Sequence, residues 1–249
     1  MNITVLIAGV HDPKWPIALG SGTLPEVDAD RQIMSPFDEA ALEIALRIRD
    51  ANPAVSIRAF VAGGDAGAKI ARAVAAFNPE EVSTVEIETP WDQSAVTGTL
   101  AQLCTDADLI LIGREFGDYD DGLVPPMLAA KLGAGYFARA QVVEAKDGLR
   151  LMRETGSCEE RHTVSGRLVT SVTNDRRTRL RKPLMKNVML ARQAEIGAAE
   201  ATSSTLSGLQ FVRAIGRTSS RATTACSMIE GTLEHQAQTL ATMLLAASA

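Results

Sequence analysis

The sequence predicts an α/β fold three layers deep, a mainly parallel sheet covered by helices on both faces, with a C-terminal strand–helix arm. Three observations predict it. Through the first 133 residues, short β-rich apolar runs alternate with longer segments of helical period, the pattern of βαβ units around a parallel sheet. Asp108–Ile112 is nearly continuous in apolar residues, as a strand covered on both faces should be. Beyond a linker-like stretch rich in Ala, Ser, Thr and Glu at Ala194–Leu206, only one strand candidate and one amphipathic helix remain, too little to enclose a core of their own. At 249 residues, with 46% hydrophobic and 22% charged, the chain can fill one large domain, assigned to residues 1–193, and an arm over residues 194–249.

Each element has a local reason. The start, Met1 to Gly9, lacks a basic leader and its apolar run ends at His11-Asp12, so it reads as a first strand over Ile3–Ala8 rather than a signal peptide. No segment is apolar for long enough to span a bilayer, so the expectation is a cytoplasmic chain without membrane insertion. Further strands are expected at Ser56–Ala62, Val82–Ile87 and Asp108–Ile112. Ala41, Ile44, Ala45 and Ile48 repeat at i, i+3, i+4 and i+7, which predicts a helix from Asp38 to about Asp50; Ser35 can cap it, Pro36 suits its first position, and Asp38 complements its dipole. Helices are also expected from Asp65 to Phe77 after Gly63-Gly64, from Asp92 to Cys104, and from Pro125-Pro126 to a terminal Gly133. After Gly133 the strand-like pieces Ala140–Glu144, Leu149–Arg153 and Thr163–Thr173, with an Asp147-Gly148 turn, read as a hairpin extending the sheet. A basic loop covers 174–187. In the arm, Leu209–Ile215 reads as a strand, and Leu233, Ala237, Leu240 and Leu244 mark one face of a helix that must pack on the main domain or on another chain.

Composition narrows function mostly by exclusion. A net charge of −5 argues against general affinity for nucleic acid or an anionic membrane. Cys104, Cys158 and Cys226 are too few and too widely spaced for a disulfide framework or a zinc site. His11, His162 and His235 form no recognisable catalytic spacing; Cys158 and His162, four apart, read as a thiolate pair or as an ordinary surface turn. Two turns suit a phosphate. Gly63-Gly64-Asp65-Ala66-Gly67 leaves a strand and opens a helix, although its glycine spacing fits no nucleotide fingerprint, and a plain βα turn is the alternative. The segment from Asp118 through Asp120, Asp121, Gly122, Leu123 and Val124 to Pro125 leaves the carboxyl end of the buried strand; its carboxylates could meet ribose hydroxyls and its backbone N–H groups a phosphate, or it is simply a solvated acidic loop. Residues 176–186 carry six positive charges in eleven residues, which suits docking of an acidic partner, a phosphate of a nucleotide held by another subunit, or a solvated loop, with Met185 as an adaptable apolar contact.

Taken in order along the chain, several of these segments resemble the β subunit of electron transfer flavoproteins. Ser35-Pro36-Phe37-Asp38-Glu39 looks like that family's Asn-Pro-Phe-Asp-Glu. Asp108–Arg114, Asp118–Pro126 and Met127–Gly133 look like its nucleotide strand, loop and helix. Arg153-Glu154, the basic loop through Met189, and Ile229-Glu230-Gly231-Thr232 also fall in family order. The resemblance implies a fold of the adenine-nucleotide alpha-hydrolase type and a heterodimer with an α subunit that holds most of a redox-active FAD. It implies electrons arriving from a flavoprotein dehydrogenase and leaving toward a quinone reductase, with no bond-making chemistry in this chain. It further implies AMP, or a second FAD as in bifurcating members, bound through Leu6, Ile7, Ala8, Ser35, Pro36, Phe37, Asp38, Val61 and Asp118–Pro125, and a recognition loop whose docking residues are Met185, Lys186 and Arg181. The family's Asn-Gln-Thr-Gly is Gly122-Leu123-Val124-Pro125 here, while Asp118-x-Asp120 and Val124-x-Pro126 resemble the bifurcating type with Pro125 in place of glycine. The alternative is a stand-alone adenine-nucleotide-binding or sensing module without flavin.

Overall fold

The computed structural model describes residues 1–17, 28–146, 148–201, 212 and 228–247. The sheet is built from β1 (Asn2–His11), β2 (Gln32–Met34), β3 (Ser56–Ala62), β4 (Glu81–Val85), β5 (Leu109–Gly113), β6 (Gly135–Ala140), β10 (Leu168–Val172) and β11 (Gly197–Ala198). Its order is β11-β4-β3-β1-β5-β10-β6, all parallel, with β2 paired antiparallel to the end of β1. The helices are α1 (Pro36–Ala51), α2 (Gly64–Ala75), α3 (Gln93–Leu103), α4 (Val124–Leu132), α5 (Met185–Gln193) and α6 (Leu233–Ala247).

Alternation along the central strands sorts the core into two layers. Ile3, Val5 and Ile7 of β1 join α1 and α2 on one face, while Leu6 and Ala8 join α3 and α4 on the other. The expected three-layer α/β fold is therefore the observed one. The local signals also hold: Ser35 Oγ accepts the backbone N–H of Asp38 at 3.0 Å, Asp92 Oδ1 caps α3 through Ser94 and Ala95, and Gly133 ends α4 with φ +62°.

Several expectations need correction. The pieces after Gly133 do not extend the main sheet: β7 (Val142–Ala145), β8 (Leu149–Thr155) and β9 (Cys158–Val164) form a separate antiparallel sheet. Leu149 and Leu151 of β8 face the α1 core, while on its other face Arg150 is exposed and Met152 buried. The single strand expected at Thr163–Thr173 is broken by Gly166, at φ +89°, into β9 and the fully buried β10, which belong to different sheets. The front of the expected linker is tied down, since β11 pairs with β4 and Ala199 donates its N–H to Thr84 O at 2.7 Å. The basic loop ends at Leu184, after which α5 runs through mostly good helix formers, Met, Lys, Leu, Ala, Arg and Gln, free of Gly and Pro.

The chain divides into two compact units, Met1–Ala214 and Ile215–Ala249. In the second, Thr232 Oγ1 accepts the N–H of His235 at 3.3 Å at the start of α6, whose Leu233, Leu240 and Met243 are exposed. The expected arm strand at Leu209–Ile215 lies outside the described residues apart from Val212. Among the described residues, no helix is long and apolar enough to cross a membrane.

Candidate functional site

From β1 the chain proceeds to β3 on one side of the sheet, and β5 then returns to the other side of β1, so the switch in strand order lies at the carboxyl ends of β1 and β5. Side chains from the loops that leave these strands converge there. A cavity of about 290 Å³ opens beside this point, between Ala8 and Gly9 of β1, the turn from β3 into α2, and the Phe116–Tyr119 segment after β5. Its α2 wall depends on glycine: Gly63 has φ +113°, and a Cβ on Gly67 would lie 2.8 Å from the carbonyl oxygen of Ala62. Gln32, Glu86 and Asp118 are its hydrogen-bonding side chains beside Tyr119, and Asp118 Oδ2 accepts the N–H of His11 at 2.9 Å. No Lys, Arg or His is among the described residues that line it.

The expected nucleotide residues divide into four groups, the last of them at the start of α4. Ala8 and Asp118 line the cavity. Leu6, Ile7 and Val61 are fully buried strand residues, supporting its floor rather than facing it. Ser35, Pro36, Phe37 and Asp38 build the start of α1, where a Cβ on Gly113 of β5 would come within 2.9 Å of Asp38 Oδ1. The Arg114 guanidinium, paired with Glu115, lies 5.1 Å over the Phe37 ring. Asp38 is wholly buried, and neither carboxyl oxygen has a hydrogen-bond partner among the described residues. Burial pushes its carboxyl up to about 8; the nearby Ser35 hydroxyl and Ala8 backbone pull it only partway down.

Asp120 is buried as well, but its carboxyl oxygens are partnered. Its Oδ1 accepts the N–H groups of Gly122 at 3.0 Å, Leu123 at 2.8 Å and Val124 at 3.2 Å, and its Oδ2 accepts that of Phe116 at 2.8 Å. The backbone donors at Gly122–Val124 that the sequence offered to a phosphate, and the Asp120 carboxylate it offered to a ribose, are thus bonded to each other. Asp121 and Leu123 are exposed, and Val124 and Pro125 are buried at the head of α4. The phosphate half of an AMP or FAD therefore does not fit the start of α4.

A second concavity, about 730 Å³, lies between β2, α2, residues 179–183 and α5. Lys69, Arg72, Arg179, Lys182 and Arg192 surround it, with Met34, Phe77, Leu180 and Val188 between them. Arg181 does not project a free charge as a docking residue. It is clamped to Glu43 of α1, Nε to Oε2 at 2.9 Å and Nη2 to Oε1 at 3.0 Å, and to Asp50. Burial alone would raise Glu43, but the bonds from Arg181 and Arg47 outweigh it and hold the carboxyl below its ordinary value. Met185 is 74% exposed and Lys186 is exposed beside it. Cys158 and His162 sit at opposite ends of one extended stretch of β9, roughly 13 Å apart at 3.3 Å per residue, so they form no thiolate pair. Sequence reasoning missed Gln32, on a three-residue strand with no periodicity, and Glu86, which follows β4 without a motif.

Comparison with known proteins agrees with the order of these segments. The sequence model of the electron transfer flavoprotein domain matches residues 26–204. Electron transfer flavoprotein subunit beta of Syntrophomonas wolfei is 25% identical over 81% of each chain, and that of Bradyrhizobium diazoefficiens is 27% identical over 79% of this chain and 80% of its own. The subunit beta of Bacillus subtilis is 29% identical over 53% of this chain and 52% of its own. The ordered segments, the α/β sandwich and this match together place the chain in the electron transfer flavoprotein family, as a divergent member similar to its β subunits.

Proposed function

We propose that this chain is the β subunit of a cytoplasmic, heterodimeric electron transfer flavoprotein. An α subunit holds most of the FAD, a flavoprotein dehydrogenase delivers electrons to it, and a quinone reductase takes them away. The flavin supplies the redox chemistry; this chain supplies the scaffold and a docking face. The observation that carries the reading is the family match over residues 26–204, which takes in the Ser35–Asp38 turn, the Asp118–Pro126 loop and the basic segment together. The exposed leucines of α6 and the exposed apolar Leu184 and Met185 beside the basic concavity suit a chain that works against partners. Met185 and Lys186 form the contact offered to the dehydrogenase, and Arg181 anchors the segment that presents them.

Coexpression with the α subunit of the same organism tests this. The expected product is a yellow one-to-one complex whose absorbance bleaches when a flavoprotein dehydrogenase and its substrate are added. A colourless chain that purifies alone in the presence of that α subunit overturns the proposal.

A further inference from the structure

We infer that Asp120 is a built-in anion that closes the start of α4 to any external phosphate, so this chain holds neither AMP nor the diphosphate of a second FAD. The inference rests on the β-subunit reading only because that reading supplies the expectation of such a nucleotide.

A helix binds an anion through the N–H groups of its first turn, which have no partner within the helix. At α4 every one of them is accounted for. Gly122, Leu123 and Val124 donate to Asp120 Oδ1; Pro125 and Pro126 have no N–H; Met127 donates to Leu123 O at 3.1 Å. The other oxygen, Oδ2, is held by the Phe116 N–H, so the carboxylate cannot swing aside without breaking bonds at both ends of the loop. Asp120 is only 8% exposed and already supplies the negative charge that the helix dipole favours.

The cavity beside it offers a phosphate no better place. Glu86 stands at the start of α2, where a Cβ on Gly64 would fall 1.7 Å from its Oε2. Asp118 holds the opposite wall, and no cation among the described lining residues offsets these carboxylates. Carboxylates accept hydrogen bonds from hydroxyl and amino groups and repel phosphate. The cavity suits at most a ribose or a base.

The test uses the purified heterodimer. Nucleotides released on denaturation are separated and counted, and AMP and adenosine are titrated calorimetrically into the intact complex. The expected result is one FAD, no AMP, and AMP binding no tighter than adenosine. A stoichiometric AMP, a second FAD, or AMP binding tenfold or more tighter than adenosine overturns the inference. Absence of any flavin instead counts against the β-subunit reading, and the AMP–adenosine comparison still judges Asp120. A Asp120→Ala variant frees the loop's N–H groups. Its melting temperature should fall and then recover in inorganic phosphate relative to sodium chloride of equal ionic strength, while the unsubstituted protein gains nothing. Stabilisation of the unsubstituted protein by phosphate beyond that salt control also overturns the inference. If the variant fails to fold, the titrations of the unsubstituted complex decide alone.

Discussion

The starts of α1 and α4 lie on opposite faces of the sheet, and each buries an aspartate close to the switch point, yet the two carboxyls differ in their hydrogen-bond partners. Asp120 accepts four backbone N–H groups. Asp38 has no donor in hydrogen-bond geometry among the described residues; Ser35 and the Ala8 backbone lie near enough only to temper the burial that drives its carboxyl to about 8. Burial is common to both, so donors make the difference. A carboxylate that replaces water with several N–H groups becomes part of the backbone framework, whereas one left without donors keeps its proton.

Removing the acceptor should have the largest effect. Asp120→Ala strands four N–H groups in a partly buried loop, three of them leading into α4, which should lower stability by about 4 kcal/mol. Asp120→Asn, which keeps one acceptor oxygen, should lose less. Urea denaturation of the two variants measures both. Equal and small losses would mean that the loop is held by something other than this carboxylate.

The second test is a pH profile. The folded-state pKa of Asp38 lies above its ordinary value of 3.8, so its contribution is fully present below about 4 and erodes as pH rises toward 8, because only the unfolded chain can release the proton cheaply. Between pH 5.5 and 8 that amounts to roughly 3 kcal/mol of stability lost. Asp38→Asn removes the titration, so its stability should decline less over this range, and the gap between variant and parent should widen in the variant's favour as pH rises. Parallel profiles would show that Asp38 is hydrated or paired when folded.

The sequence made one of these two helix starts legible and disguised the other. Ser35-Pro36 before an amphipathic repeat is a local signal, and the cap appears where it was expected. The acidic loop was also visible, but its meaning depends on where Asp120 points. A carboxylate two to four residues before free N–H groups reads equally well as a ligand-binding group or as a self-cap. The parallel strands were legible because double-sided burial leaves continuous apolar runs; β2 and β11 were not, because two or three residues carry no period. The separate β7–β8–β9 sheet escaped because its direction is decided by the turn after Ala140, and α5 because the charges before it obscured nine residues of mostly good helix formers. Only the ordered family resemblance gathered these pieces into one function.

Glu43 extends the comparison along α1 and predicts an intermediate effect. It is nearly as buried as Asp38, but the Arg181 and Arg47 side chains supply most of its donors, joined by the backbone N–H of Arg181 at 3.2 Å. Arg181→Ala leaves Glu43 with Arg47 and the backbone N–H at position 181, and loosens the basic segment from α1, so a loss of about 2 kcal/mol is expected. Increased proteolysis between residues 174 and 183 would accompany it. A loss within 0.5 kcal/mol of zero would mean that solvent screening already weakens the clamp.

The smallest effect separates capping from burial at α1 itself. Ser35 supplies a single hydroxyl to the N–H of Asp38, against the four N–H groups gathered by Asp120, so Ser35→Ala should cost only about 1 kcal/mol. It should also nudge the Asp38 carboxyl further upward, since the Ser35 hydroxyl is one of the groups that pull it down. The pH at which stability levels off should therefore move to a higher value in Ser35→Ala than in the parent, while Asp38→Asn and the double variant should share one flatter profile. If Ser35→Ala instead lowers that pH, the hydroxyl acts on the neutral carboxyl of Asp38, and the two helix starts differ in what each offers its aspartate as well as in how many donors it supplies.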